Sequence, residues 1–491
     1  MKPVIPDARY ARSGTLPETT AFAARCRTAS AEASASRMTD RGDWAPRLDY
    51  GGGRHTREDR LAAPPDRMSY WQQEGGAAVA LPAADPPDDV DFAIVGGGLA
   101  GLSTANAILE RRPGASVAVL EANFVGYGAS GRNGGLMSPL PAPIWLLTAD
   151  SNTDHAWAVR ALNAKLHALG AWLADTLPDS QIKPCTLQLQ AVGRITTSAL
   201  QRLSGSLARI DIGHNLTCEA HRGGKPTLEL PAYTVQPYRL VRALAARAAS
   251  LGARICEHVA VEAIEETPRG AAIRLAGGRQ IRANCAVLCT NGYTGSVAVR
   301  ARPRAKVLRN YMLATEPLDA AAVTRLGNGQ AFTVELNKSY IFYRLHEGRV
   351  VYGGIETFLR TPPGDFDVPA WVRPALERHL AHSLPCCKDL RIAADWGGRY
   401  HSTATDLPII RHAPGTRSIV FNVGYGGTGV ALTQLFAPLA AATALDQPLP
   451  DAEDARLGEI MLATRFPLAS LLQFGGNIAW DVIRGRPHVR Q

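Results

Sequence analysis

The sequence predicts a mixed α/β (α+β) chain, in which a doubly wound parallel-sheet domain is interleaved with an antiparallel-sheet domain. Three observations predict it. An apolar run at Asp91–Val95 leads straight into glycines at 96, 97, 98 and 101, and a helical pattern then continues to Arg111. Strand and helix patterns keep alternating from Val90 onward, as a doubly wound sheet requires. Residues 303–360 instead hold strand-like runs at Tyr340–Leu345 and Arg349–Gly353, joined by a Glu347-Gly348 turn that suits antiparallel pairing.

With 491 residues and 46% apolar content, the chain has enough material for more than one packed core. The formal charge is +9, but Lys and Arg are scattered among Asp and Glu. That describes a solvated basic surface and disfavours nucleic acid as a partner, since no stretch interleaves basic and aromatic residues. No run of 18 apolar residues occurs, so no spanning helix is expected. The eight cysteines form no C-x-x-C pair and have no His at zinc spacing, so no metal is expected. Free thiols and the lack of a targeting segment point to a cytoplasmic setting.

The glycine turn carries the first chemistry. Gly96 makes the tight turn and Gly98 lets the backbone approach a pyrophosphate. Gly101 brings the helix close to the strand, and Leu99 and Ala100 open the helix whose N-terminus meets the phosphates. A second strand, Ser116–Leu120, ends at Glu121, twenty residues past Gly101 and followed by Ala122. A carboxylate at that point accepts hydrogen bonds from a ribose diol.

The next segment is also glycine-rich: Gly126-Tyr127-Gly128-Ala129-Ser130-Gly131-Arg132-Asn133-Gly134-Gly135. It reads as backbone pressed against a ligand, with Ser130, Arg132 and Asn133 left for polar contacts. With this string the chain resembles the D-amino acid oxidase and glycine oxidase-like family of FAD enzymes, closest to its γ-glutamylputrescine oxidoreductase branch. The resemblance covers about residues 68–445 and implies a Rossmann-like FAD-binding domain. It also implies that Val261 lies over the adenine and that Thr290, Asn291 and Gly292 make a third contact with the dinucleotide. Trp396-Gly397-Gly398 and the string Gly424-Tyr425-Gly426-Gly427-Thr428-Gly429-Val430 follow in the family's order. There the second string leads into a helix whose N-terminus faces the flavin's pyrimidine edge. Residues 126–135 contain no His and residues 395–430 no Cys, so non-covalent FAD is expected.

The family oxidises a C–H bond beside an amine nitrogen, so a small-molecule amine substrate and oxygen or another electron acceptor are implied. Members acting on α-amino acids carry an Arg-Pro-x-Thr-x-Asp clamp. This chain has Arg399-Tyr400-His401-Ser402-Thr403-Ala404-Thr405-Asp406, with one extra residue and no Arg-Pro, which leans towards an amine or N-substituted substrate. Arg399, Tyr311, Tyr343 and Arg344 are the substrate-side candidates, and His401 reads as a structural loop residue. A D-amino acid dehydrogenase feeding a quinone, a non-catalytic flavin subunit and an NAD-dependent dehydrogenase are the competing readings. The last has no use for the later motifs.

The domain expectation follows. Residues 68–140, 231–302 and 392–445 form the discontinuous FAD-binding domain, and 141–230 and 303–391 the substrate domain. Residues 1–67 are a disordered extension, with Met68 a candidate native start, and 446–491 are a C-terminal tail. The tail's apolar run near Leu471–Trp480 suits packing on the body or an oligomer contact.

Overall fold

A computed structural model describes residues 68–76, 81–140, 152–192, 194–217, 225–336, 341–357, 368–387 and 389–464. The expected disorder of 1–67 and the run 471–480 lie outside these residues. Seventeen described strands, numbered along the chain, form two sheets. The first holds β1 (Asp89–Val95), β2 (Val117–Leu120), β7 (Arg254–Cys256), β8 (Val261–Thr267), β9 (Gly270–Leu275), β10 (Gln280–Leu288), β16 (Ile409–His412) and β17 (Ile419–Val423).

Its spine runs β7-β2-β1-β10-β17 in parallel, with β16 antiparallel on the edge. The chain begins in the centre, builds outward to β7, then crosses back to β10. The switch point of this doubly wound sheet therefore lies between β1 and β10, where ligands of such sheets bind beyond the strands' carboxyl ends. Helix Leu99–Arg111 follows β1 and is buried from Leu99 to Leu109, sandwiched between the sheet and helices Pro237–Ser250 and Ala437–Leu445.

The second sheet holds β3 (Leu136–Met137), β4 (Lys183–Ala191), β5 (Asn215–Thr217), β6 (Thr227–Thr234), β11 (Lys306–Thr315), β12 (Ala331–Leu336), β13 (Phe342–His346), β14 (Arg349–Thr357) and β15 (Ile392–Ser402). Its order is β15-β11-β14-β13-β12-β4-β6-β3, antiparallel except for the parallel pair β4 and β12. Glu347 (φ 48°) and Gly348 (φ 74°) make the two-residue turn between β13 and β14, whose twist matches the strands. One face packs on the main core through Met312 and Trp396. The other, with Tyr311, Leu313 and Tyr352, is covered by helix Val372–Ser383.

Local departures from the sequence reading have physical causes. Residues 253–265 read as one strand but form two, because the N–H groups of His258 and Val259 turn aside to the carbonyls of Asn123 and Glu121. His258 is left-handed there (φ 61°). The helix expected from Gly429 to Leu445 is broken at Phe436 and bent by 65°. Pro438 opens the second piece and has no N–H to continue the first. Residues 392–402, counted with the FAD domain in the sequence, pair with β11 from Ile392 to Ser402 in the second sheet. In the tail, helix Ala452–Ala463 packs on helix Thr153–Thr176, where Lys165 Nζ lies 3.1 Å from Glu453 and 3.0 Å from Asp454. No single described helix is long and apolar enough to cross a membrane.

Candidate flavin site

The glycine-rich motifs, far apart in sequence, converge at the carboxyl ends of β1, β2, β10 and β17. Gly96 takes φ 111°, and a Cβ there would stand 2.9 Å from the carbonyl oxygen of Cys289, the residue just past β10. A Cβ at Gly98 would stand 2.8 Å from Ser130 Oγ, which accepts a hydrogen bond from Leu99 N at 2.9 Å. The first helical N–H and the 126–135 loop are thus already joined at the point where phosphate would sit. Ala100 is buried in the same first turn.

Glu121 closes the far end. Its Oε2 accepts from Gly97 N at 2.8 Å and its Oε1 from Asn123 N at 3.0 Å, with Ala122 between. Protein surrounding the carboxylate pushes its pKa up, against the pull of those backbone N–H groups. Val261 is buried beside Leu120 and Cys256, just past the turn that bonds back to Glu121.

Residues 126–135 form a tight frame. Asn133 Nδ2 donates to the carbonyls of Ala129 and Ser130 at 3.0 and 3.1 Å, and its Oδ1 accepts from Gly135 N at 2.8 Å. Gly128 lies under the Tyr293 ring, and a Cβ at Gly134 would press on Phe342 at 2.9 Å. Arg132 is buried, donating from Nε to Tyr127 O at 2.8 Å and from Nη1 to Gly397 O at 3.3 Å. Burial pulls its pKa down to about 10, so it is still a cation at neutral pH. The Arg132 carbonyl accepts from Trp396 Nε1 at 2.9 Å, and a Cβ at Gly398 would stand 3.5 Å from Arg132 Cβ, so this loop is locked to the second sheet.

The third and fourth motifs meet each other. Asn291 Oδ1 accepts from Gly424 N at 3.1 Å. Thr290 Oγ1 bonds Thr294 Oγ1 at 2.9 Å, and Gly292 presses on the Arg399 backbone, where a Cβ would stand 2.9 Å away. Gly426, Gly427 and Thr428 form a 3-10 turn into helix Gly429–Leu435, with Val430 buried. Tyr425 turns its side chain into the core instead, where its hydroxyl donates to Asn422 Oδ1.

The substrate-side candidates fall in different places. Tyr311 and Tyr343 lie on the far face of the second sheet, in the layer under helix Val372–Ser383. Tyr311 Oη bonds Thr357 Oγ1 at 3.0 Å, and Tyr343 stacks on Tyr352 with centroids 5.8 Å apart. Arg344 is on the near face but buried, donating from Nη2 to Val235 O at 2.8 Å with its guanidinium 4.7 Å above the Trp71 ring. Arg399 has the parity of Tyr311, and its guanidinium lies 5.0 Å over the Tyr293 ring. His401 is buried, its pKa pushed down to about 4. Strand content alone does not tell which face a residue takes.

Several supporting residues carry no sequence motif. Ser69 Oγ donates to Gly131 O at 2.7 Å, and Gln72 Nε2 donates to Gly126 O at 2.9 Å, so the helix Tyr70–Glu74 braces the glycine loop. The capping pair Ser69 and Gln72 was the available signal.

These residues fit a bound dinucleotide. The glycine cradle leaves no room for a Cβ at Gly98, and a carboxylate stands at its far end. Two buried polar atoms bordering it, Tyr293 Oη and Asn310 Oδ1 opposite Gly398, have no partner among the described residues.

The comparisons agree with that geometry. Residues 91–443 match the family model described as FAD dependent oxidoreductase, DAO. The chain belongs to the DAO family of FAD-dependent oxidoreductases. It is 26% identical over 420 residues to a probable oxidoreductase OrdL of Rhizobium meliloti, covering 81% of this chain and 92% of that one. It is 26% identical over 375 residues to the gamma-glutamylputrescine oxidoreductase of Escherichia coli, covering 72% and 82%. Among solved structures, glycine oxidase from Geobacillus kaustophilus superimposes with a TM-score of 0.62 at 21% identity, covering 74% of this chain and 96% of that one. L-proline dehydrogenase from P. horikoshii gives 0.62 at 16% identity, covering 76% and 99%. The structural likenesses establish the DAO fold. As a DAO-family member the chain is an oxidoreductase whose cofactor is FAD.

Proposed function

We propose that the protein oxidises the C–N bond of an amine or N-substituted amino compound to an imine, which water hydrolyses to the carbonyl product, with the electrons passed to oxygen. Family membership and the names of its relatives support the amine or amino acid class. The observation that carries the preference for an amine is the residue after Gly398-Arg399. Where the family's carboxylate clamp has proline, this chain has Tyr400, whose hydroxyl donates to the Glu356 carboxylate. A carboxylate at that place disfavours a second carboxylate on the substrate.

Bound FAD supplies the two-electron acceptor. The chain's own residues hold it and exclude water. Gly96, Gly98, Leu99, Ala100 and Gly101 take the pyrophosphate, Glu121 and Ala122 the ribose, and Val261 the adenine. The frame from Gly128 to Gly135, with Ser130, Arg132 and Asn133, and the turns at Thr290–Gly292, Gly398 and Gly424–Val430 enclose the rest. Substrate oxidation needs the neutral amine, so the pocket's part is to orient the reacting carbon and to favour loss of the ammonium proton. The division into a discontinuous FAD domain and a substrate domain, and a cytoplasmic setting, belong to this same reading.

Two measurements test it. Anaerobic addition of a panel of amines, N-methyl amino acids and D-amino acids is expected to bleach the flavin with at least one amine. Peroxide should then form under air, whereas turnover only with a quinone-like acceptor would favour the D-amino acid dehydrogenase reading. No bleaching by any member of the panel would leave FAD a structural group. Secondly, acid precipitation is expected to release all the flavin into the supernatant. Cys289, whose carbonyl abuts Gly96, is buried and its thiol is held far above the ordinary range by burial, which disfavours a thioether there.

A further inference from the structure

Strand β14 carries an extra residue. Tyr311 on β11 pairs with Gly354 and Arg309 with Thr357, so one residue between them, Asn310, faces two on the other strand, Ile355 and Glu356. Gly354 stands at φ 152° and Ile355 at φ 61°. A β-branched residue in the left-handed region is strained, and such strain persists only where the surroundings enforce it. Here Ile355 is buried in the far-face layer with Tyr311 and Tyr352.

The bulge changes which side the following residue takes. Tyr352 lies in the far-face layer, so uninterrupted alternation would put Gly354 and Glu356 there too. With the insertion, Glu356 emerges on the near face instead. There its carboxylate accepts from the Tyr400 hydroxyl. Tyr400 shares that face with Trp396, Gly398 and Ser402, and Lys306 opposes Ser402 in register. Ser402 Oγ donates to Asp406 Oδ1 at 2.8 Å, and that same oxygen lies 3.3 Å from where a Cβ of Gly426 would be. The patch thus borders the glycine string whose helix the family resemblance aims at the flavin ring.

We infer that Glu356 determines substrate specificity by attracting, in its ammonium form, an amine that has no carboxylate on its amine-bearing carbon, ahead of the proton loss that oxidation requires. The inference rests on the amine reading above and deepens it. Glu356 and Asp406 are both open to solvent and yet ringed by protein, which pushes both carboxyl groups up. Lys306 stands beside both, and burial pulls its ammonium down to about 8. The patch sets two carboxyl groups against one lysine, a balance that favours a cation over a carboxylate. The strain at Ile355 serves to hold the carboxylate there.

The test uses the FAD-loaded enzyme and its Glu356→Gln form, with n-butylamine and D- and L-norvaline as probes that differ by one carboxylate. Binding is read anaerobically from the flavin spectrum, and turnover where bleaching occurs. Wild type is expected to favour n-butylamine, and Glu356→Gln to lose about tenfold to a hundredfold of that preference, mainly in the binding constant or KM, with kcat less affected. Glu356→Asp should recover part of it. Unchanged discrimination, or equal losses for amine and amino acid, would overturn the inference, as would a variant that only melts earlier. If none of these probes bleaches the flavin, the oxidation reading is decided separately by the wider amine panel. A butylamine-induced spectral shift that Glu356→Gln abolishes would still support the binding role, and absence of that shift in wild type would refute it.

Discussion

Gly101→Ala is expected to yield protein that purifies without FAD. A Cβ at this position would stand 2.0 Å from the Gly96 carbonyl oxygen and 3.2 Å from Ile94 Cγ2. The first obstacle is backbone, which no side-chain rotation relieves. Helix Leu99–Arg111 would have to move off β1, yet it is buried from Leu99 to Leu109 and cannot shift alone. Overpacking of this kind costs about 3 kcal/mol, the upper end of the usual range, because two main-chain segments must separate. The same movement carries the helix N-terminus and the Ser130–Leu99 contact away from the phosphate position. The measurement is the flavin-to-protein absorbance ratio after gel filtration, with a urea melt alongside. Gly114→Ala is the control: Gly114 has φ 85° but nothing within 4 Å of a Cβ, so it should cost about 1 kcal/mol of backbone strain and keep its flavin. Full retention of FAD by Gly101→Ala would remove the assigned role of the turn.

The contrast between those two glycines shows what is legible in a sequence. Gly101 declares itself because its spacing from Gly96 and Gly98, with a strand before and a helix after, is a local pattern, and the contact it permits is five residues away. The same holds for the strand ends at Glu121 and Gly424. Side-chain direction in the second sheet is set otherwise. Tyr311 and Tyr343 have the composition of a substrate sheet, but the pairing register turns them under helix Val372–Ser383. Glu356 reaches the near face through a bulge, and nothing in Gly353-Gly354-Ile355-Glu356 announces that the isoleucine takes φ 61°. The two-glycine run does allow an irregular backbone, which is as far as the sequence goes. Register and bulges are decided by long-range packing, and propensity does not reach that far.

The helix Tyr70–Glu74 is the sharper case, and Trp71→Ala carries the second large expected effect. In sequence Met68-Ser69-Tyr70-Trp71 is only the first aromatic segment, since every group it meets is at least fifty residues away. Trp71 is fully buried, with the Arg344 guanidinium 4.7 Å above its ring and the His346 ring edge-on at 4.9 Å. Its carbonyl accepts from Gln236 Nε2 at 2.8 Å. Removing the indole is expected to cost about 3–5 kcal/mol through the cavity left behind, and to strip a buried cation of the aromatic face beneath it. The consequence for function travels through Ser69 and Gln72. Their bonds to the carbonyls of Gly131 and Gly126 hold the frame in which Arg132 and Asn133 sit. The double variant Ser69→Ala with Gln72→Ala separates the two effects. It keeps the Trp71 indole in place, so its stability loss should be smaller than that of Trp71→Ala, while its FAD dissociation constant rises about tenfold as two buried carbonyls lose their donors. Wild-type FAD affinity in the double variant would reduce the helix to core packing, and the brace would then have no part in the cofactor site.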